Sequence, residues 1–134
     1  MKNIKNIDNI TKVHKDWRPS ELAFIKSIEL EYNKLLIKFL GQTRKNKFKW
    51  PDNSNNFYEV IFLFEGLSNF KLDITPSEYN MYQISGFDIR DISQNKFENL
   101  NFQIEDYEND TISFYCNTIS VISKLNFINI KEIL

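Results

Sequence analysis

The chain is poor in the residues on which covalent staples and side-chain catalysis depend. Among 134 residues there is one cysteine, one histidine, three glycines and three prolines. A single cysteine forms no internal disulfide, so nothing in the chain calls for an oxidising compartment. A single histidine, His14, has no second histidine or nearby cysteine with which to hold a metal, and no serine stands out as its nucleophilic partner. No glycine-rich phosphate loop is present. No stretch reaches the roughly twenty apolar residues of a membrane span. The opening Met1-Lys2-Asn3-Ile4-Lys5-Asn6 lacks the continuous apolar run of a signal peptide. The expectation is a cytoplasmic protein without cofactor or metal, and without catalytic residues.

Aromatic side chains, by contrast, are abundant: twelve Phe and six Tyr. At roughly 1.5–3 kcal/mol per fully buried large apolar side chain, such a set can offset the ordering entropy of one domain. The length fits a single domain over residues 1–134. From Phe57 to Ile122 apolar and polar residues alternate almost without pause, the pattern of an antiparallel sheet with one packed face.

Along the chain, Ile4, Ile7, Ile10, Val13 and Trp17 recur at three- and four-residue steps, which predicts an amphipathic helix stopped by Pro19, with Asn3 as its cap. Phe24, Ile28 and Leu30 alternate with Ser27, Glu29 and Glu31 as in a strand, and Tyr32-Asn33-Lys34 turns into a second strand, Leu35–Leu40. That strand and Phe57–Phe64 are apolar on both faces, so both should be covered on two sides, the N-terminal segment being a natural second cover. Between them Gly41–Asn56 reads as a long polar loop. Thr75-Pro76-Ser77-Glu78 has the form of a capping box, and Gly86 marks a bulge before Phe87 and Ile89. Leu100–Ile104, Ile112–Cys116 and Ile119–Val121 read as further strands, and the tail from Ser123 suits either a strand or a docked helix. The fold expected is mainly β with some α: a twisted antiparallel sheet or partly closed barrel with the N-terminal amphipathic helix packed on it.

Charge is divided unevenly. Residues 1–67 carry twelve basic and eight acidic side chains, whereas residues 68–134 carry five and ten. Between residues 88 and 110, Asp88, Asp91, Glu98, Glu105, Asp106, Glu108 and Asp110 face only Arg90 and Lys96. Acids in turns are usually just solvated, and these lack the glycine and the distal Glu of a calcium loop. If they act, an electrostatic docking surface is the chemistry they suit, because exposed charge raises association rate and selects partners. Cys116 shares a face with Ile112 and Phe114 and reads as a buried small hydrophobe. Arg44, Lys45, Lys47 and Lys49 interleave with Phe48 and Trp50, as a single-strand nucleic-acid site would require, but the chain's net charge is −1 and it has no RNA-binding motif. Nucleic acid is therefore not the expected partner.

Several stretches together resemble a known family. Pro19-Ser20-Glu21-Leu22, Ile28-Glu29-Leu30, Leu35–Phe39, Lys49-Trp50, Phe57–Leu67, Gly86-Phe87-Asp88-Ile89 and Phe114-Tyr115-Cys116 are similar to the all-β immunity proteins of bacterial polymorphic toxin systems. The likeness spans roughly residues 17–121. It implies a non-enzymatic bacterial protein that binds a cognate protein toxin and neutralises it by occlusion, and it transfers no catalytic residue. The partner-binding residues expected are Asp88, Asp91, Glu105, Asp106, Glu108 and Asp110, with Tyr107 and Trp50 as aromatic anchors. A basic toxin such as a nuclease would suit them. The alternative is a small-ligand or carbohydrate-binding β domain, for which a concave aromatic-lined pocket would be the discriminator.

Overall fold

A computed structural model of the chain describes residues 3–42, 57–75, 80–108 and 110–128. Two antiparallel sheets pack face to face, and neither closes into a barrel. The first contains β1 (Leu22–Glu31), β2 (Lys34–Gln42), β3 (Phe57–Glu65), β5 (Tyr82–Gln83), β9 (Thr118–Val121) and β10 (Asn126–Ile128). The second contains β4 (Ser68–Leu72), β6 (Phe87–Asp91), β7 (Phe102–Asp106) and β8 (Ile112–Cys116), in the order β4-β8-β7-β6. The mainly β, antiparallel expectation holds. Gly86 is not a bulge: at φ +79° it lies where the chain leaves β5 in one sheet and starts β6 in the other.

β3 is the centre of the first sheet. One side pairs with β2 along its whole length, from Gln42↔Phe57 to Lys34↔Glu65. Its other side pairs with β9 over Phe62–Glu65 and with β10 over Phe57–Glu59. Between those two strands the ladder is bridged by Ser123, whose Oγ accepts the Ile61 amide at 2.9 Å, while the Ile122 amide donates to Ile61 at 3.0 Å. Pairing on both edges does not cover both faces: Val60, Phe62 and Phe64 are buried, whereas Ile61 and Leu63 on the other face are only half-buried, so the two-sided cover expected from the sequence is incomplete.

Val60, Phe62 and Phe64 point into the space between the sheets, as do Leu35, Ile37 and Phe39 from β2. Phe87, Ile89, Phe102, Ile104, Phe114 and Cys116 come from the opposite sheet. The joint is aromatic: Phe64 meets Phe114 edge-on with ring centroids 5.0 Å apart, and Phe39 meets Phe87 at 5.0 Å. Cys116 is fully buried, and burial pushes its thiol up to about 12, so it serves as a small hydrophobe. Phe24, Leu40, Phe57 and Met81 form a separate small cluster.

The N-terminal segment does pack on this framework, but its helix is short, Asp8–Thr11. Sheet pairing claims its start: the Lys5 amide donates to Ile119 and Lys5 accepts from the Val121 amide, both at 2.9 Å. Asn6 then takes φ +60°, which no helix continues through. Asn3 caps nothing; its amide donates to Asp91 at 2.5 Å. Ile4, Ile10 and Trp17 still reach the main core, and Trp17 stacks on Phe62 with centroids 5.9 Å apart. Of the apolar stripe, Ile4, Ile10 and Trp17 close the inner face rather than the outer one, Ile7 packs partly against them, and Val13 is exposed. No helix is long and apolar enough to cross a membrane among the described residues.

Candidate functional site

The acidic residues lie mostly at one end of the second sheet, and register explains why. β6 and β7 pair antiparallel with Phe87 opposite Asp106 and Asp88 opposite Glu105. The β7–β8 turn follows immediately, so Tyr107, Glu108 and Asp110 project beyond the same end. Inside residues alternate with outside ones: Phe87, Ile89, Ile104 and Asp106 are buried, while Asp88 and Glu105 look outward. Two carboxylates directly opposite one another repel, which costs stability on its own account. Arg90, 3.8 Å from Glu105, offsets this only weakly, since its side chain is more than half exposed.

Each predicted residue has its own surroundings. Asp106 is fully buried, and its Oδ1 accepts the Ser85 amide at 3.0 Å. Thr111 faces the same carboxylate, yet Oδ2 has no partner in hydrogen-bond geometry, and burial raises the carboxyl above the ordinary Asp value. Asp106 therefore organises the turn, and its backbone carbonyl also accepts the Asp110 amide at 2.8 Å. Asp110 is exposed, with φ +51°. Tyr107 is 58 % exposed, its amide donating to Gly86 at 3.3 Å. A Cβ on Gly86 would lie 2.8 Å from the Tyr107 ring, so only glycine lets that ring approach the backbone. Glu108 is exposed and hydrogen-bonds the Ser85 hydroxyl.

Asp91 stands apart, at the far end of β6 opposite Phe102. It accepts the Ser93 hydroxyl at 2.6 Å, the Ser93 amide at 2.9 Å and the Asn3 amide, and these bonds hold its carboxyl below the usual range. In the fold it starts the 3-10 turn Ser93–Asn95. Trp50 and the basic stretch around it lie outside the described residues, as does the capping box of residues 76–78.

The outer face of the second sheet continues the site. Across its strands one row runs Asp88, Glu105, Ser113, Lys71, and the next runs Arg90, Gln103, Tyr115. A concavity of about 450 Å³ lies over Lys71, Gln103, Glu105, Ser113 and Tyr115. It is polar, not the aromatic-lined pocket of a sugar binder. A second concavity, of about 380 Å³, is bordered by Val13, His14, Lys15, Arg18 and Glu21.

That second region holds contacts the sequence did not disclose. His14 Nε2 lies 2.5 Å from Glu21 Oε1, and Glu21 Oε2 accepts the Arg18 amide at 3.1 Å. Trp17 donates its indole N–H to the buried Tyr58 hydroxyl at 2.7 Å. Burial raises the Tyr58 hydroxyl's pKa far above the ordinary phenol, so it stays protonated as a hydrogen-bonding group. Seven residues is two turns of a helix, but Pro19 interrupts any helix between His14 and Glu21, so the spacing did not flag the pair. Among the described residues no three His, Cys, Asp or Glu side chains stand together as a metal site.

Comparison with known families decides the class. A family model described as Immunity protein PIM8 matches residues 5–122. The chain belongs to the PIM8 immunity protein family. The match takes in both sheets as far as β9, including the acidic end and the N-terminal turns. No curated protein and no solved structure matches.

Proposed function

We propose that this immunity-family protein acts in the cytoplasm of a bacterium by binding a cognate toxin domain and covering its active site, with no chemistry of its own. The observation that carries this reading is the family match over residues 5–122. The acidic end of the second sheet supplies the recognition: Asp88, Glu105, Glu108 and Asp110 for charge, with Tyr107 as a half-exposed anchor. Asp106 supports it from within by fixing the β7–β8 turn, whereas Asp91, at the far end of β6, takes no part in this surface. The combined charge of the acidic end suits a basic cleft, such as that of a nuclease, whose substrate these carboxylates would mimic.

Exposed charges act chiefly on encounter rate and are screened by salt, with a Debye length of about 8 Å at physiological ionic strength. Replacing Glu105→Gln, Glu108→Gln and Asp110→Asn together should therefore lower the association rate with the neighbouring gene's product more than it raises dissociation. The difference from the parent protein should shrink as salt is added. Stopped-flow association at low and high salt makes the test, and equal low-salt rates would remove the steering role from this end of the sheet.

A further inference from the structure

β1 is paired unequally along its length. Its first half is held on both sides: β2 on one, and on the other β5, through Phe24↔Gln83, Ile25↔Tyr82 and the Ile84 amide donating to Ala23 at 3.0 Å. From Ser27 to Glu31 the described residues supply only β2 as a partner. Among the described residues this half of the strand is guarded by the charges of Glu29 and Glu31 alone, without the other devices usual at free edges. Such edges carry proline, an outward lysine, a bulge or a cover. Here the bulge falls earlier, between Ile25 and Ser27, and Lys26 is held by Glu59 at 3.0 Å. Ser27–Glu31 contains no proline or lysine. Leu30 is 55 % exposed, and Tyr32, just beyond the strand at φ +54°, is 93 % exposed.

We infer that Ser27–Glu31 is a docking edge to which the toxin domain adds an extended strand, continuing the first sheet past β5. This edge presupposes the neutralisation reading above and specifies the manner of contact. Register dictates what the added strand must carry. Ser27, Glu29 and Glu31 share one face with Lys38, Leu36 and Lys34, whereas Ile28 and Leu30 share the core face with Ile37 and Leu35. A complementary strand thus alternates lysine or arginine, opposite Glu29 and Glu31, with apolar residues against Ile28 and Leu30. Main-chain hydrogen bonds provide the hold and the alternation provides the choice of partner. Tyr32 and Leu30 are the large exposed groups available as anchors. The same acids argue against a second copy of this chain as occupant, because antiparallel self-pairing would bring Glu29 and Glu31 against their own counterparts.

The test is hydrogen–deuterium exchange of the full chain, alone and with the product of the neighbouring gene, alongside the variant Glu29→Lys, Glu31→Lys. Both side chains are exposed, so the variant should stay folded, with only a small drop in unfolding midpoint from setting a like charge opposite Lys34. Alternate amides within Ser27–Glu31 should exchange fast in the free protein and slow by more than about tenfold in the complex. The variant should bind more than about tenfold more weakly. A complex that leaves exchange at Ser27–Glu31 unchanged overturns the docking edge while neutralisation stands. Failure of any complex to form overturns neutralisation and the edge with it. Protection of these amides in the free protein, in a dimer, assigns the edge to a second copy and also overturns the proposal.

Discussion

The two sheets are built from the same alternating pattern and differ in what they bury and what they expose. In the first, the strands are nine or ten residues long at β1, β2 and β3, and apolar side chains stand on both faces. In the second, no strand exceeds five residues, and its outer face carries Asp88, Arg90, Gln103, Glu105, Ser113 and Lys71. Buried area sets stability, and surface charge sets encounter. Stability should therefore be concentrated where β3 meets the opposite sheet, while outer-face changes in the second sheet should show mainly in partner binding.

The strongest way to break that division is at the joint. Phe64→Ala removes a fully buried ring that packs on Phe114 and Phe62, and should cost about 3–5 kcal/mol by urea denaturation. A loss of under about 1 kcal/mol would show that the first sheet is not the stabilising element. Gly41→Ala probes the same sheet from its backbone. Gly41 stands opposite Tyr58 in the β2–β3 ladder, and a Cβ there would lie 2.3 Å from the Tyr58 ring. The ring is fully buried and tied to Trp17, so it cannot swing into solvent. The expected cost is about 1–3 kcal/mol, read as a lower urea midpoint. Replacing Tyr58 by a smaller side chain in the Gly41→Ala background should recover less than it loses, because the Trp17 N–H is then orphaned.

The smallest effect, and the one that sharpens the comparison, belongs to the second sheet. Asp106 has its folded carboxyl raised above the ordinary 3.8 by burial. A raised carboxyl means the folded state holds its proton more tightly than the unfolded chain. Stability from this group is thus lost as pH climbs from the unfolded value through the folded one, and regained on acidification. Asp106→Asn has no such titration. Its stability relative to the parent should be more favourable at about pH 7 than at about pH 4, measured from paired urea midpoints. Asp91 runs the other way, with a lowered carboxyl whose support is lost only as pH falls through its depressed value. A flat Asp106→Asn difference across pH would place the buried charge outside the folding equilibrium.

Much of the architecture was legible because period two is hard to mistake over strands this regular. Phe57–Phe64, Ile112–Cys116 and the Leu35–Leu40 strand fall within the observed elements. The division into two sheets was not legible, since alternation specifies a face without saying which strand lies beside which. The N-terminal stripe misled on length for a related reason. Ile4, Ile7 and Ile10 satisfy a helical spacing, but β-branched residues are weak helix formers, and the bonds between Lys5 and β9 outcompeted the first turn. The acidic cluster was legible as charge; only the β6–β7 register shows that Asp106 is inside, Asp91 is at the far end, and the rest gather together. His14 with Glu21 and Trp17 with Tyr58 were invisible, the first because no helix spans the seven residues between them and the second because the partners lie far apart in the chain.

The placement of β9 has a temporal consequence. β3 is the centre of the larger sheet, yet its second side stays vacant until residues 118–128 have been made. The N-terminal segment waits as well, because Lys5 is secured by Ile119 and Val121. Such distant pairings pay loop-closure entropy before they return any contact, so they slow folding. During synthesis β1, β2 and β3 can form a meander early, with one apolar edge open. Only the last strands shut it, so the larger sheet is completed in a late step.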